Sequence, residues 1–397
     1  MKKLETEINH INEISLAIDA FLEKNNLNHF DYETGLLGFA LYYAYLAKYT
    51  NNEEYKEKAY ELFINSIQSF DPTNFYKIHG GDSLDAHLSQ MGRLAIFLKE
   101  NNFIQDLDID ELLIQLDEVL AELMYSKISI KDFDYSSGAL AAGFYFCKRY
   151  PHNEKVKTYL SYLVHSIFEL SEKDDLGNIY WTSPSLHNRI YLGISHGSCL
   201  IISFIASLYE VNIEKDICKK ILDKASRFVI KQYRKTEYKG LFPNMIGDEI
   251  DNMQFSLCYG DIGIGYALYK AAMVTESDYL KTFALTILED CLNRKKRDNL
   301  TLDASIYYGA SGLAIAFKKV HEITKDERFL NQAKYWLNKI DEYRIFNNHF
   351  AGFKSRLLDN DSLWNYSMGW GIIGIGITIM SFETDEKADI ADLTFLA

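Results

Sequence analysis

Gly371-Ile372-Ile373-Gly374-Ile375-Gly376, near the end of the chain, is the clearest copy of the pattern that decides the fold. A glycine pair followed by apolar residues also stands at Gly309-Ala310-Ser311-Gly312-Leu313-Ala314 and at Gly260-Asp261-Ile262-Gly263-Ile264-Gly265. Upstream copies are Gly197-Ser198-Cys199-Leu200-Ile201, Gly138-Ala139-Leu140-Ala141-Ala142-Gly143 and Gly35-Leu36-Leu37-Gly38-Phe39-Ala40-Leu41. A degraded copy reads Ser89-Gln90-Met91-Gly92-Arg93-Leu94-Ala95. The seven copies lie roughly 50 to 60 residues apart, a period that fits one helical hairpin per repeat.

The segments between the glycines carry helical spacing. Tyr55, Ala59, Leu62, Phe63, Ile67 and Phe70 keep the three-four interval of one buried face. Thr324-Lys325-Asp326-Glu327 has the form of a capping box, opening a helix with the face Phe329, Leu330, Ala333, Trp336, Leu337 and Ile340. Downstream of the glycines, runs such as Ile201–Leu208 predict a second, more buried helix. Only 4 prolines interrupt the chain, and no stretch alternates with period two, so strands should be few. The expected fold is all-α, an α/α toroid: a double ring of about seven helical hairpins around a central cavity, as a single domain over residues 1–397. The glycine motifs should share one rim at the cavity mouth, and glycine at a helix start should leave backbone N–H groups accessible there.

Composition narrows the function. With 42 Lys and Arg against 56 Asp and Glu, the net charge of −14 argues against nucleic-acid binding, which needs basic surface. It suits a cationic substrate or simple solubility. The five cysteines are widely spaced without a Cys-x-x-Cys pair and read as reduced thiols. Met1-Lys2-Lys3-Leu4-Glu5 leads into a polar amphipathic segment rather than a signal core, and no apolar run reaches spanning length, so no transmembrane segment is expected. The expectation is a cytoplasmic protein, with peripheral membrane contact compatible.

Three copies carry chemically capable residues just before their first glycine. These are His196 in Gly193-Ile194-Ser195-His196-Gly197, Cys258 and Tyr259 before Gly260, and Tyr307 and Tyr308 before Gly309. A lone histidine or cysteine is more often a core residue than a catalyst. Equivalent positions in successive repeats point instead to a shared site. Asp134, four residues before Gly138, adds a carboxylate. A glycan hydrolase using Asp134, Asp261 and Asp303 is a weaker reading, since the last two also suit helix caps and only Trp181 and Trp370 lie near the rim loops.

In these motifs the chain resembles the lanthionine synthetase C-like family over nearly its whole length. Gly-x-x-His-Gly is matched at Gly193–Gly197, Cys-Tyr-Gly-x-x-Gly at Cys258–Gly263, and the acidic residue by Asp134. The resemblance implies a cyclase that adds a cysteine thiol of a ribosomal peptide to dehydroalanine or dehydrobutyrine, giving a thioether ring. His196 would then be the acid or base for the enolate, Asp134 would orient it or stabilise charge, and Tyr259 would donate a hydrogen bond. The implied partners are a dehydrated precursor peptide and a lanthipeptide dehydratase.

The family's zinc takes one ligand from Cys-Tyr-Gly and two from a Cys-His pair in the sixth copy. Here Cys258 remains, but Tyr307 and Tyr308 stand at the other two positions. Neutral tyrosine is a poor zinc ligand, so no cofactor and no family-type zinc site is expected, with Cys258 the one surviving metal position. Gln254 and Leu257 replace an arginine and a tryptophan, and Gln254, Tyr307 and Tyr308 become candidate substrate-binding residues. Cys199, His79 and His87 are the remaining donors, each better read as structural or solvent-exposed. The alternative to a zinc-free cyclase is a non-catalytic peptide-binding or scaffold protein of a maturation complex.

Overall fold

The computed structural model describes residues 2–25, 27, 29–71, 83–104, 108–234, 240–247, 254–295, 300–384 and 396. Its helices are, in order, α1 (Lys2–Lys24), α2 (Leu36–Thr50), α3 (Glu53–Gln68), α4 (Leu84–Glu100), α5 (Asp108–Ser129), α6 (Leu140–Arg149) and α7 (Val156–Glu169). They continue as α8 (Ser198–Glu210), α9 (Lys215–Lys231), α10 (Asp261–Thr275), α11 (Asp278–Asn293), α12 (Ala310–Thr324), α13 (Glu327–Lys339) and α14 (Ile372–Glu383). One short antiparallel pair, β1 (Glu172–Lys173) with β2 (Ile179–Tyr180), is the only strand ladder among the described residues.

Even-numbered helices are buried over most of their surface and sit inside. Along α10 only Met273 and Thr275 escape burial, and along α14 only Phe382 and Glu383. A helix hydrophobic all round needs neighbours all round. Odd-numbered helices bury one stripe and sit outside, as α13 does with Phe329, Gln332, Ala333 and Trp336. Truncating Phe329, which is fully buried, would cost about 3–5 kcal/mol of that docking. The expected capping box is displaced by two residues: Thr324 ends α12, Lys325 turns left-handed, and Asp326 caps α13 by accepting the Arg328 N–H at 2.9 Å.

Each odd helix from α3 to α13 packs on the inner helix before it, and α1 packs on α14. Inner helices touch around the ring: α2 with α4, α4 with α6, α8 with α10, α10 with α12, α12 with α14, and α14 back onto α2. Between α6 and α8 the Phe144 and Phe204 rings meet at 5.3 Å. This is the expected α/α toroid, closed by the two ends of the chain.

The glycines have a specific cause. Before most inner helices the chain folds back over the helix start, and the first N–H groups reach carbonyls seven residues earlier. Examples are Leu36 to His29 at 2.8 Å, Ala139 to Asp132 at 2.9 Å, Ser198 to Tyr191 at 3.0 Å and Ala310 to Asp303 at 2.9 Å. A Cβ on Gly312 would stand 1.8 Å from the Ile306 carbonyl oxygen, and one on Gly374 1.9 Å from that of Met368. At Gly197 the backbone also needs φ +93°, a region open to glycine. The expectation of accessible N–H groups at these helix starts is therefore wrong, because the wrapping loops consume them.

The second copy departs furthest. Gly92 lies inside α4 rather than at its start, where a Cβ would meet the Tyr145 ring at 2.4 Å. Among the described residues no helix is long and apolar enough to cross a membrane. All five cysteines are free thiols.

Candidate functional site

Folding each loop over its helix start lifts the two residues before the capping glycine to the ring centre. Glu33, Ser136, Ser195, Cys258, Tyr307 and Gly369 occupy the first of these positions, and His196, Tyr259, Tyr308 and Trp370 the second. A ladder runs along the first position. The Ser195 hydroxyl donates to the Cys258 carbonyl at 3.0 Å, the Cys258 N–H to Tyr307 O at 3.1 Å, and the Tyr307 N–H to Gly369 O at 3.0 Å. The Gly369 N–H then reaches Glu33 Oε2 at 3.0 Å, joining the seventh repeat to the first.

These tips surround a cavity of about 300 Å³ lined by Glu33, Ser136, Ser195, His196, Cys258, Tyr307, Tyr308 and Trp370, with Ser83, Ala86, His87, Gln90, Tyr135 and Trp364. His196 and Asp134 form its best-defined polar pair, with Nδ1 2.7 Å from Oδ2. The other Asp134 oxygen accepts the Ser136 N–H and hydroxyl, both at 2.8 Å. Burial would raise the Asp134 carboxyl, but the His196 charge and these bonds outweigh it and hold it below its ordinary value. Burial would likewise lower the His196 imidazole, but Asp134, helped by Asp132, raises it overall. An ionised carboxylate only accepts, so Nδ1 carries a proton and Nε2 is the ring nitrogen left for the cavity.

The opposite wall is aromatic and acidic. The Tyr307 hydroxyl donates to Glu33 Oε1 at 2.7 Å, and a Cβ on Gly369 would overlap the Tyr307 ring at 2.0 Å. Burial raises the Glu33 carboxyl above its ordinary value despite bonds from Gly369, Tyr307 and Ser367. Tyr308 packs on Trp370 at 4.7 Å and stacks on Tyr259 at 5.8 Å. Burial pushes up the Cys258 thiol and the Tyr307 and Tyr308 hydroxyls, and lifts Tyr259 to about 12.

Of the sequence candidates, His196, Cys258, Tyr307 and Tyr308 line the cavity, Asp134 stands behind His196, and Tyr259 behind Tyr308. Gln254 does not line it: six residues before Gly260, it begins the loop, in the same register as His29 and Asp303. Cys199 is fully buried in α8, His87 lines the cavity, and His79 lies outside the described residues. Asp261 binds Arg294 at 2.5 Å and the Leu241 N–H at 2.8 Å. Asp303 binds the Ser355 hydroxyl at 2.9 Å, so neither serves a paired-carboxylate hydrolase. Trp370 lines the cavity, whereas buried Trp181 donates to Ile167 O. Among the described residues no three His, Cys, Asp or Glu side chains converge as around a metal ion. Sequence reasoning missed Glu33, although it stands two residues before Gly35 as Cys258 and Tyr307 stand before Gly260 and Gly309.

The family model described as lanthionine synthetase C-like protein matches residues 27–395. No curated protein matches the chain. Among solved structures, nisin cyclase is 17% identical and aligns over 100% of this chain and 98% of its own, with a TM-score of 0.72. A cellobiose 2-epimerase from Bacillus thermoamylovorans B4167 is 12% identical, aligning over 77% of this chain and 90% of its own with a TM-score of 0.44. The first likeness is one of fold.

Proposed function

The chain belongs to the lanthionine synthetase C-like family, and from that premise we propose that it closes thioether rings in a dehydrated ribosomal peptide without a family-type zinc ion. The observation that carries this reading is the His196–Asp134 pair, 2.7 Å apart at the wall of a cavity sized for side chains. A cysteine sulfur adds to the β-carbon of dehydroalanine or dehydrobutyrine, and the alkene electrons move to the α-carbon as an enolate. His196, held protonated on Nδ1 by Asp134, delivers a proton from Nε2 to that carbon. The walls hold thiol and alkene together, and orientation alone accelerates such additions substantially.

The donor set does not fit zinc. The Tyr307 hydroxyl is committed to Glu33, and burial keeps the Tyr307 and Tyr308 phenols neutral, leaving Cys258 as the one family ligand. The same burial disfavours a tyrosinate as the thiol's base. Alkenes must come from an enzyme that dehydrates serine or threonine, and such a dehydratase is the expected partner.

The test uses purified protein and a peptide carrying dehydroalanine and cysteine, scored by loss of free thiol at constant mass. Rings should form, and His196→Ala should slow them by about 10²-fold or more. A second reading, a non-catalytic peptide-binding or scaffold protein, draws support from the Tyr307–Glu33 bond where a metal donor would stand. Tight peptide binding with no acceleration of ring closure would establish it instead.

A further inference from the structure

We propose that Glu33 is the base that takes the proton from the substrate thiol. The inference rests on the cyclase reading and supplies what a zinc-free site lacks. A metal makes a thiolate at neutral pH, whereas without one the proton must go to a basic group at the cavity.

Glu33 occupies the same loop position as Cys258 and Tyr307, and its carboxyl faces the same cavity as His196. Its structural duty is to close the rim ladder by accepting the Gly369 N–H at 3.0 Å and the Tyr307 hydroxyl at 2.7 Å. That duty asks only for a neutral acceptor, since backbone carbonyls of Cys258, Tyr307 and Gly369 perform it at the other steps of the ladder. The charge is what remains to be explained. No lysine or arginine among the described residues pairs with Glu33, and burial without a cationic partner makes a carboxylate more basic. Gly369, Tyr307 and Ser367 fill three of the carboxylate's four acceptor sites and leave one for a thiol S–H. Asp134 is taken by His196 and Ser136. Burial sets Glu33 on the more basic side of its ordinary range.

The step balances. The S–H bond breaks as an O–H bond forms on Glu33, the sulfur pair makes the S–Cβ bond, and the alkene pair moves to the α-carbon. His196 protonates that carbon, and the Glu33 proton returns to the imidazole through solvent.

Glu33→Gln tests the charge while keeping the ladder, because the amide oxygen can accept from Gly369 while its NH₂ donates to the Tyr307 hydroxyl. With the dehydroalanine–cysteine peptide, kcat should fall about 10²-fold with KM unchanged. Glu33→Ala should regain rate as formate is added. Tyr307→Phe, which removes a ladder bond but keeps the carboxylate, should lose less than tenfold. Glu33→Gln with kcat within twofold of wild type, Glu33→Ala deaf to formate, or Tyr307→Phe as impaired as Glu33→Gln overturns the assignment. Loss confined to His87→Ala, the other imidazole at the cavity, does so too. A wild-type protein that forms no ring removes the cyclase reading and this inference together, whereas active Glu33→Gln removes only the inference.

Discussion

Asp134→Asn separates the electrostatics of the dyad from its shape. In the wild type one carboxylate oxygen accepts the His196 Nδ1–H at 2.7 Å and the other takes two donors from Ser136 at 2.8 Å. Asparagine has a single oxygen, which stays with Ser136, so its NH₂ turns to His196. An amide N–H only donates; Nδ1 must then accept, and the imidazole proton moves to Nε2. The imidazolium loses the charge that raised its pKa, leaving burial to lower it, and the neutral ring's Nε2–H is too weak an acid to protonate the α-carbon. Ring formation should drop by about 10²- to 10⁴-fold, the range of general acid–base contributions. Exchanging a charged for a neutral hydrogen bond should cost roughly 1–2 kcal/mol of stability. His196, raised in the folded state, stabilises fully below its unfolded value of about 6.5 and loses this as pH rises through its folded value. Asp134, lowered, stabilises above its unfolded value of about 3.9 and loses this as pH falls through its folded value. The stability gap between wild type and variant should therefore be widest between about pH 4 and 6.5. Nitrogen-15 NMR of the imidazole reads the tautomer, and urea unfolding across pH reads the gap. A variant that keeps the proton on Nδ1, titrates like wild type and closes rings within twofold would refute the reasoning.

Gly369→Ala places a Cβ 2.0 Å from the Tyr307 ring, which must leave Glu33 to clear it. Overpacking and the lost bond should together cost about 3 kcal/mol in urea unfolding, against about 1–2 for Tyr307→Phe, and equal losses would contradict this. Burial pushes Asp85 up to about 6, so the folded state takes up its proton first and stability rises as pH falls from 7 to 5, by about 1 kcal/mol. Asp85→Asn should flatten that rise, and an unchanged slope would place the protonation elsewhere. Dialysis against a chelator should leave thioether formation and Tm unchanged; stoichiometric zinc in the purified protein, with activity lost on stripping, would reverse the zinc-free reading. Conversely, Tyr307→Cys combined with Tyr308→His should bind about one zinc ion per chain beside Cys258, and failure to do so would show that the loop tips are not interchangeable.

The ring was legible because its signal is steric and local. Each loop lies on its helix start, so Gly35, Gly197, Gly309 and Gly371 must lack a Cβ, and the repeat shows through divergent sequence. His196, Cys258, Tyr307 and Tyr308 were legible because they share a register with those glycines. Glu33 shares it too, but Asp31-Tyr32-Glu33-Thr34 resembles an ordinary polar loop, and its partner Tyr307 is 274 residues away. Gln254 was misread because the seven-residue wrap was not visible. In the same register the carbonyls of His29 and Asp303 accept a helix-start N–H, and Gln254 does not line the cavity. Hydrogen bonds from a folded-back loop leave no trace in hydrophobic periodicity, so the fate of the helix-start N–H groups was equally hidden.

That fate bears on how such a fold keeps or changes its chemistry. With their first N–H groups bonded to their own loops, α8, α12 and α14 offer little backbone donor capacity to a thiolate or enolate. Reactivity then falls to the side chains at the loop tips. Three of those tips, Cys258, Tyr307 and Gly369, are joined round the rim through backbone atoms, so their side chains can change while the ring stays closed. Ser195 and Glu33 are the exceptions, since the ladder starts on the Ser195 hydroxyl and ends on the Glu33 carboxylate. A fold shared at 17% identity therefore carries little information about a metal at positions 307 and 308. Exchange of the tips is a short route from a metal-activated thiol to one activated by a carboxylate, and the residue that closes the ring is the one placed to do it.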